Sequence, residues 1–390
     1  MMYKSFDFTQ KIKSRIISLM GIGAILAAVG VVLNLDHTHR IWANVLLNGF
    51  FFTAIALGAV FFVVVHVLGE SGWHTAIQRI PEAMGQFIPI GGIILLIVAV
   101  LGMHDIYHWS HAGHLDKILE GKKGYLNPIF FIVRTVVYLV VWTLLMWKLR
   151  QLSLASDHSD DLKLFSRSRI WAGIFIVIFA VTSSASAWDW IMSIDAHWFS
   201  TLFGWYIFSG FFVSAVAVII VLLFVLRRMG YMAHVNDEHF HDLGKYLFGF
   251  SIFWAYLWVS QYLLIWYSNI PEETVYFVKR QEDFSVIFFM NVIINFGAPL
   301  LMLMSRGAKR RLTWLMVTAI VVFIGHWIDL YVAIMPGVIG QPHFGVLEVG
   351  MTVLCLGCFL FIFFRSFAKA PVVPENHPYF KESFEYDNIR

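Results

Sequence analysis

Ten long apolar runs divide the chain, each closed by a short polar segment: 16–33, 42–68, 84–103, 128–148, 170–193, 201–226, 243–268, 284–304, 312–334 and 346–366. A bilayer core of about 30 Å takes roughly 20 helical residues to cross, so the pattern predicts ten membrane-spanning helices. The first run follows Lys11, Lys13 and Arg15. It is too long for a signal-peptide core and lacks a small-residue exit, so it is expected to be a retained helix. The tail 367–390 is polar and aromatic and is expected to form an extended arm that packs on a neighbour.

The runs repeat. Asn48 opens a segment, Asn-Gly-Phe-Phe-Phe, that Ser209 opens again as Ser-Gly-Phe-Phe-Val, placing Gly49 and Gly210 161 positions apart. Gly85-Gln-Phe returns as Gly244-Lys-Tyr at 159, and Ile129-Phe-Phe returns as Ile287-Phe-Phe at 158. Nearly constant spacing predicts a duplicated four-helix unit. Spans two to five (42–199) form one bundle, spans six to nine (200–335) the other, and spans one and ten lie at the periphery. Span five then answers span nine, with Asp189 opposite Asp329 at an offset of 140. The fold class is an all-α polytopic membrane protein in one integral domain, 1–390.

Composition agrees with the pattern, since 59% of residues are hydrophobic and only 14% charged, too apolar for a soluble domain of this size. Of the 28 Lys and Arg, 21 fall in the N-terminus, the even-numbered loops and the C-terminus, counting Lys148, Lys245 and Arg365 at the adjoining span ends. That bias predicts both termini in the cytoplasm, with membrane lipids as the surroundings. The net charge of +3 follows from the same loops and points to no nucleic acid. Cys355 and Cys358 lie inside span ten without a second pair or a following His, so they are expected to pack rather than bind metal or haem.

The candidate chemistry gathers around Ser183 to Trp198, where Asp189, Asp195 and His197 lie among three tryptophans at the edge of a span. Ionisable groups at such places need partners or water, and by default they mark a functional pathway. At a rise of roughly 1.5 Å per residue, Arg134, Asp189, Gln261, Asn291, Asn295, His326 and Asp329 fall at similar depths in the outer half of the membrane. His326 and Asp329, at i and i+3, share a helix face. Arg134 is expected to pair with one of the aspartates. Near the inner surface, His66 and Glu70 form an i, i+4 pair able to pass a proton. Thr53, Thr182, Ser183, Ser184 and Ser186 supply hydroxyls between the two levels. The depths of His66 and His326 differ by roughly 15 Å, which excludes a shared bis-His haem. His104, His108 and His111 would share a face if span three continued, with His114 beyond them; a surface or partner contact is expected there rather than a metal site. The runs 157–161 and 234–242 are expected to be solvated loops.

These features resemble a family. The two four-helix bundles with flanking helices are similar to the NrfD-like membrane subunits of the polysulfide reductase superfamily. The Trp188-Asp189-Trp190 to Trp198 segment, the His326-Trp-Ile-Asp-Leu-Tyr stretch and the His377-Pro-Tyr-Phe tail resemble the smaller of the two such subunits in bacterial alternative complex III. That resemblance spans essentially the whole chain. It implies a non-cofactor-bearing subunit of a respiratory quinol:electron-acceptor (cytochrome c) oxidoreductase in the bacterial inner membrane. The implied partners are a sister NrfD-like subunit, an iron-sulfur subunit, c-type haem subunits and a terminal oxidase. Haem c and iron-sulfur clusters would reside in those partners, with no cofactor bound covalently here. The resemblance implies a proton pathway, or a pocket for quinone or menaquinone, with Asp189, Arg134, His326 and Asp329 as its outer half. His66 and Glu70 would form the inner half of that path. A proton-coupled secondary transporter and a purely structural anchor remain as alternative classes.

Overall fold

The computed structural model describes residues 5–111, 116–159 and 161–386. Among the described residues, ten helices are long and apolar enough to cross a membrane: α1 (Gln10–Val32), α2 (Thr38–Leu68), α3 (Arg79–Leu101), α4 (Pro128–Ser156), α5 (Leu162–Trp190), α6 (Phe203–Arg228), α7 (Asp237–Ser268), α8 (Ser285–Leu303), α9 (Leu312–Val338) and α10 (Val346–Phe367). A helix satisfies its own backbone, which apolar surroundings require. Several run past the apolar stretch because a polar cap starts them outside it. Asn127 accepts from Phe130 N ahead of Pro128 at α4, Asp161 accepts from Lys163 N at α5, and Asn236 forms a capping box with His239 at α7. Helix α3 is offset at Gln86–Phe87, where two tight turns precede Pro89.

Helices α2, α6 and α9 are the most buried, and α1, α7 and α8 the least. Helix α2 packs on α3 and α5, with α4 joining those two into a ring. Helix α6 packs on α7 and α9, and α8 joins them in the same way. The rings meet where α2 lies against α6 and α9. Helix α10 covers α2, and α1 lies on α10.

The α1–α10 seam is made by glycines. A Cβ on Gly30 would stand 2.5 Å from Leu347 Cα, and one on Gly350 would strike the Ala27 backbone nitrogen. Helices that touch backbone to backbone gain dispersion contacts that bulkier residues would lose. Gly350→Leu is therefore expected to lower the melting temperature in detergent, at a cost of about 1–3 kcal/mol of overpacking. An unchanged melt would contradict this close seam.

The C-terminal arm corrects an expectation: it packs on its own chain. Val372 and Val373 are buried, Ser383 Oγ accepts from Ala76 N (2.8 Å) and donates to Trp73 O (2.9 Å), and Asn236 Nδ2 donates to Tyr386 O (2.8 Å). It thereby covers the termini-bearing ends of both rings. The loops it covers are solvated only in part: His158, Ser159 and Asp161 are exposed, as expected, while other residues are tied in. Asp157 is ion-paired to Arg79, while His239 and Asp242 are buried; Asp160 lies outside the described residues.

Docking of the arm depends on neutral histidines. His377 lies against Thr75, His74, Phe165 and Tyr379, with Arg79 and Glu82 acting on it from beneath. Burial pushes its pKa down to about 4, and it pushes His74 well below its usual value. The undocked arm binds the proton from about pH 6.5 downward, so docking is at full strength above that and weakens as pH falls toward 4. Iodide quenching of a fluorophore on an introduced Glu385→Cys is expected to rise across that interval. Quenching independent of pH would show that these histidines do not govern docking.

Candidate functional site

Two buried aspartates hold corresponding places in the two rings. In the first, Asp189 is fully buried at the end of α5. Arg134 of α4 grips it with two parallel bonds, Nε to Oδ2 and Nη2 to Oδ1, both 2.8 Å. Tyr138, one turn further along α4, donates its hydroxyl at 2.9 Å. The guanidinium also donates to Tyr125 O at 2.9 Å and lies 3.8 Å from the Tyr125 ring centroid. The predicted pairing of Arg134 with an aspartate therefore falls on Asp189. A fork of this kind neutralises the carboxylate and fixes its geometry.

In the second ring, Asp329 receives one donor from each other helix: the Tyr206 hydroxyl of α6, Trp254 Nε1 of α7 at 2.9 Å and Asn291 Nδ2 of α8 at 2.6 Å. Asn295 donates to Asn291 Oδ1 at 2.6 Å. Asn291 and Asn295 stand 157 positions after Arg134 and Tyr138, so the duplication keeps the acid and its supporting turn but exchanges the arginine for an amide. A π-turn, Ile293–Gly297, carries Asn295 and departs from regular α8 geometry at the site.

Only His326 forms an ion-pairing contact with Asp329 among the described residues, Nδ1 to Oδ2 at 3.7 Å. That exceeds hydrogen-bond length. His326 is 3% exposed, and neither ring nitrogen has a hydrogen-bond partner among the described residues. The ring stands edge to face on Trp254. Gly210 makes room beside it, since a Cβ there would lie 3.4 Å from His326 Nδ1. The result is a small cavity at the α2–α6–α9 junction, bounded by Phe50, Phe51, Ala54, Ser214, His326 and Asp329, with space for water but not for an aromatic ring. On the far side of Asp329, Tyr206 borders a second cavity lined by Gln261, Tyr276 and Arg280.

The remaining predicted groups are dispersed. Asp195 pairs with Arg280 at 3.1 Å, while Arg280 also holds Val332 O and Ala333 O; His197 pairs with Asp116 at the surface. His66 and Glu70 do not share a helix face, because α2 stops at Leu68. His66 donates Nδ1–H to Phe62 O at 2.7 Å and faces His74, whereas Glu70, at φ 50°, turns out to Arg169 and Tyr379. Thr53, Thr182 and Ser186 donate to carbonyls of their own helices rather than forming a chain. Between the levels of His66 and Asp329, the rings of Phe61, Phe62, Phe212, Tyr246 and Phe250 interlock. Helix α3 does not continue through His104, His108 and His111, and His114 lies outside the described residues. No group of three or more metal-capable His, Cys, Asp or Glu occurs among the described residues.

Two buried networks escaped the sequence reading. Glu82 is held by Arg79 and Arg150, and Glu348 by Arg40 and Asn44. An acid at the third position of span ten was a visible signal for Glu348. Glu82 sat in a loop only because the apolar run begins two residues later.

No protein-family model matches the chain, and no curated protein matches it.

Proposed function

We propose that this chain is a membrane subunit of a respiratory quinol:electron-acceptor oxidoreductase and carries protons through its second ring, with Asp329 and His326 as the exchanging pair. The observation that carries the proton reading is the contrast between the two aspartates. Asp189 is locked by a guanidinium, whereas Asp329 is held by neutral donors beside a histidine with both ring nitrogens open. One water, or a shift of under about an ångström, would close the 3.7 Å gap and let a proton pass between Oδ2 and Nδ1. Tyr206 links the carboxylate to the far cavity, so exchange from that side needs only its hydroxyl to turn.

The cavity beside His326 does not fit a quinone ring, and Asp189 with Arg134 is closed around its own ion pair. The four residues therefore form two sites rather than one quinone pocket, and quinol oxidation is assigned to the sister subunit. The electrons would pass to iron-sulfur and c-type haem partners. In this reading the interlocked rings above His66 are a barrier that a conformational change in the complex must open. The termini-bearing face would be cytoplasmic, following the basic loops.

The respiratory assignment is tested by gentle purification through a C-terminal tag from native membranes. Quinol-reducible c-type haem and iron-sulfur subunits are expected to accompany the chain. A colourless protein that purifies alone would remove the respiratory reading.

A further inference from the structure

The first ring contains a pocket that the proton path does not use. It lies near the termini-bearing end, between α2, α4 and α5, and is closed by His377 and Pro378 of the arm. Its walls are apolar: Val60, Val63 and Val67 from α2, Met146 and Leu149 from α4, and Phe165 from α5. One side is polar. Gln78 is 4% exposed and gives its Nε2 hydrogens to Glu82 (2.8 Å) and Ser153, while its Oε1 has no partner among the described residues. Arg150 gives Nη1 to the same Glu82 carboxylate, and its Nη2 has only a long 3.5 Å contact to Ser366 O. An unmatched acceptor and a weakly engaged donor are thus tethered to one carboxylate at the pocket wall. A buried polar atom without a partner costs about 1–3 kcal/mol, which a ligand group can recover.

Charge narrows the ligand. Arg79 and Arg150 are balanced by Glu82 and Asp157, so an ionised headgroup would upset a neutral set. Shape narrows it further. The inner end is a narrow slot, whereas its mouth, which shares Ser156, Phe165, His377 and Pro378, opens into a broad polar vestibule reaching Asp161, Asn376 and Lys381. A slot of this form takes a hydrocarbon chain rather than a ring. We infer that this pocket binds an uncharged single-chain amphiphile with a hydroxylated head, of the monoacylglycerol type. Its chain lies along Val60, Val63 and Met146, and a hydroxyl donates to Gln78 Oε1 while accepting from Arg150 Nη2. The C-terminal arm forms the lid.

Native mass spectrometry of the full-length protein released from micelles tests this with three probes. 1-Monooleoylglycerol is expected to add one equivalent saturably. Methyl oleate, which lacks a hydroxyl, and oleate, which is charged, are each expected to bind about tenfold or more weakly, as loss of one buried hydrogen-bonding match implies. Val63→Trp, which fills the slot away from the ion network, should abolish the adduct. Gln78→Met should weaken it about tenfold while keeping the slot open. Equal binding of all three probes, or an adduct that survives in both variants, would overturn the site. If Val63→Trp melts early, Gln78→Met decides alone. Absence of any adduct in the unaltered protein would mean that the pocket holds only water.

Discussion

Asp329→Asn is expected to lower the number of protons moved per electron to near the value of an uncoupled enzyme while the assembled complex still oxidises quinol. Asparagine keeps an oxygen for Tyr206 and Asn291, which share Oδ1, but cannot carry a proton, and its amide then faces Trp254 Nε1. The structural cost is therefore one mismatched bond, about 1–2 kcal/mol, against complete loss of a titrating group. The measurement is an oxidant pulse given to sealed proteoliposomes, with external pH and electron transfer followed together. Unchanged stoichiometry would remove Asp329 from the pathway, whatever happened to the rate. His326→Ala should fall in the same class, because it removes the other half of the 3.7 Å gap.

Asp189→Asn should behave in the opposite way. Arg134 is only 8% exposed, and its two bonds to the carboxylate are its main source of compensation. Removing that charge leaves a buried guanidinium unpaired, which typically costs about 3–5 kcal/mol. The melting temperature in detergent should drop well below that of Asp329→Asn, while proton stoichiometry per assembled complex stays unchanged. The paired substitution Arg134→Leu with Asp189→Leu should recover part of the loss, because a buried ion pair replaced by apolar groups is often close to neutral. If the double variant were worse than the sum of the singles, the pair would contribute more than mutual neutralisation. Equal losses of coupling in Asp189→Asn and Asp329→Asn would abolish the distinction drawn between the two rings.

The ten helices were legible because a membrane leaves few choices: where apolar residues run for about 20 positions, the backbone must close on itself. The polar layer was legible from depth alone, and so was the need of Arg134 for an acid. The choice of Asp189 was not, because partner selection is made across helices and depends on which turn of α4 faces α5. It was nevertheless implicit in the duplication. Carrying the 158-residue offset along α4 reaches the Asn291 and Asn295 turn to within one position, and shows an arginine answered by an amide. The His66–Glu70 pairing failed on a local signal that was present. Gly69 follows α2 directly, and a glycine at a helix end is a common stop. The arm was misread because its aromatic and polar residues suit a foreign surface as well as the chain's own loops. Only the fold shows that Trp73 O, Ala76 N and Asn236 lie where it can satisfy them.

The glycine seam bears on how the chain is made. Helix α1 leaves the ribosome more than three hundred residues ahead of its close partner α10. Throughout that interval the small-residue face of α1 has only lipid or helpers of the insertion machinery to rest on. The two rings can assemble meanwhile, since neither needs α1 to close. Joining α1 to α10 is then a late step that brings the two ends of the chain together, as the contacts of Phe6 with Phe364 and Phe367 record. A chain cut short before α10 would therefore leave its first helix without its mate, a ready mark by which quality control can recognise unfinished product.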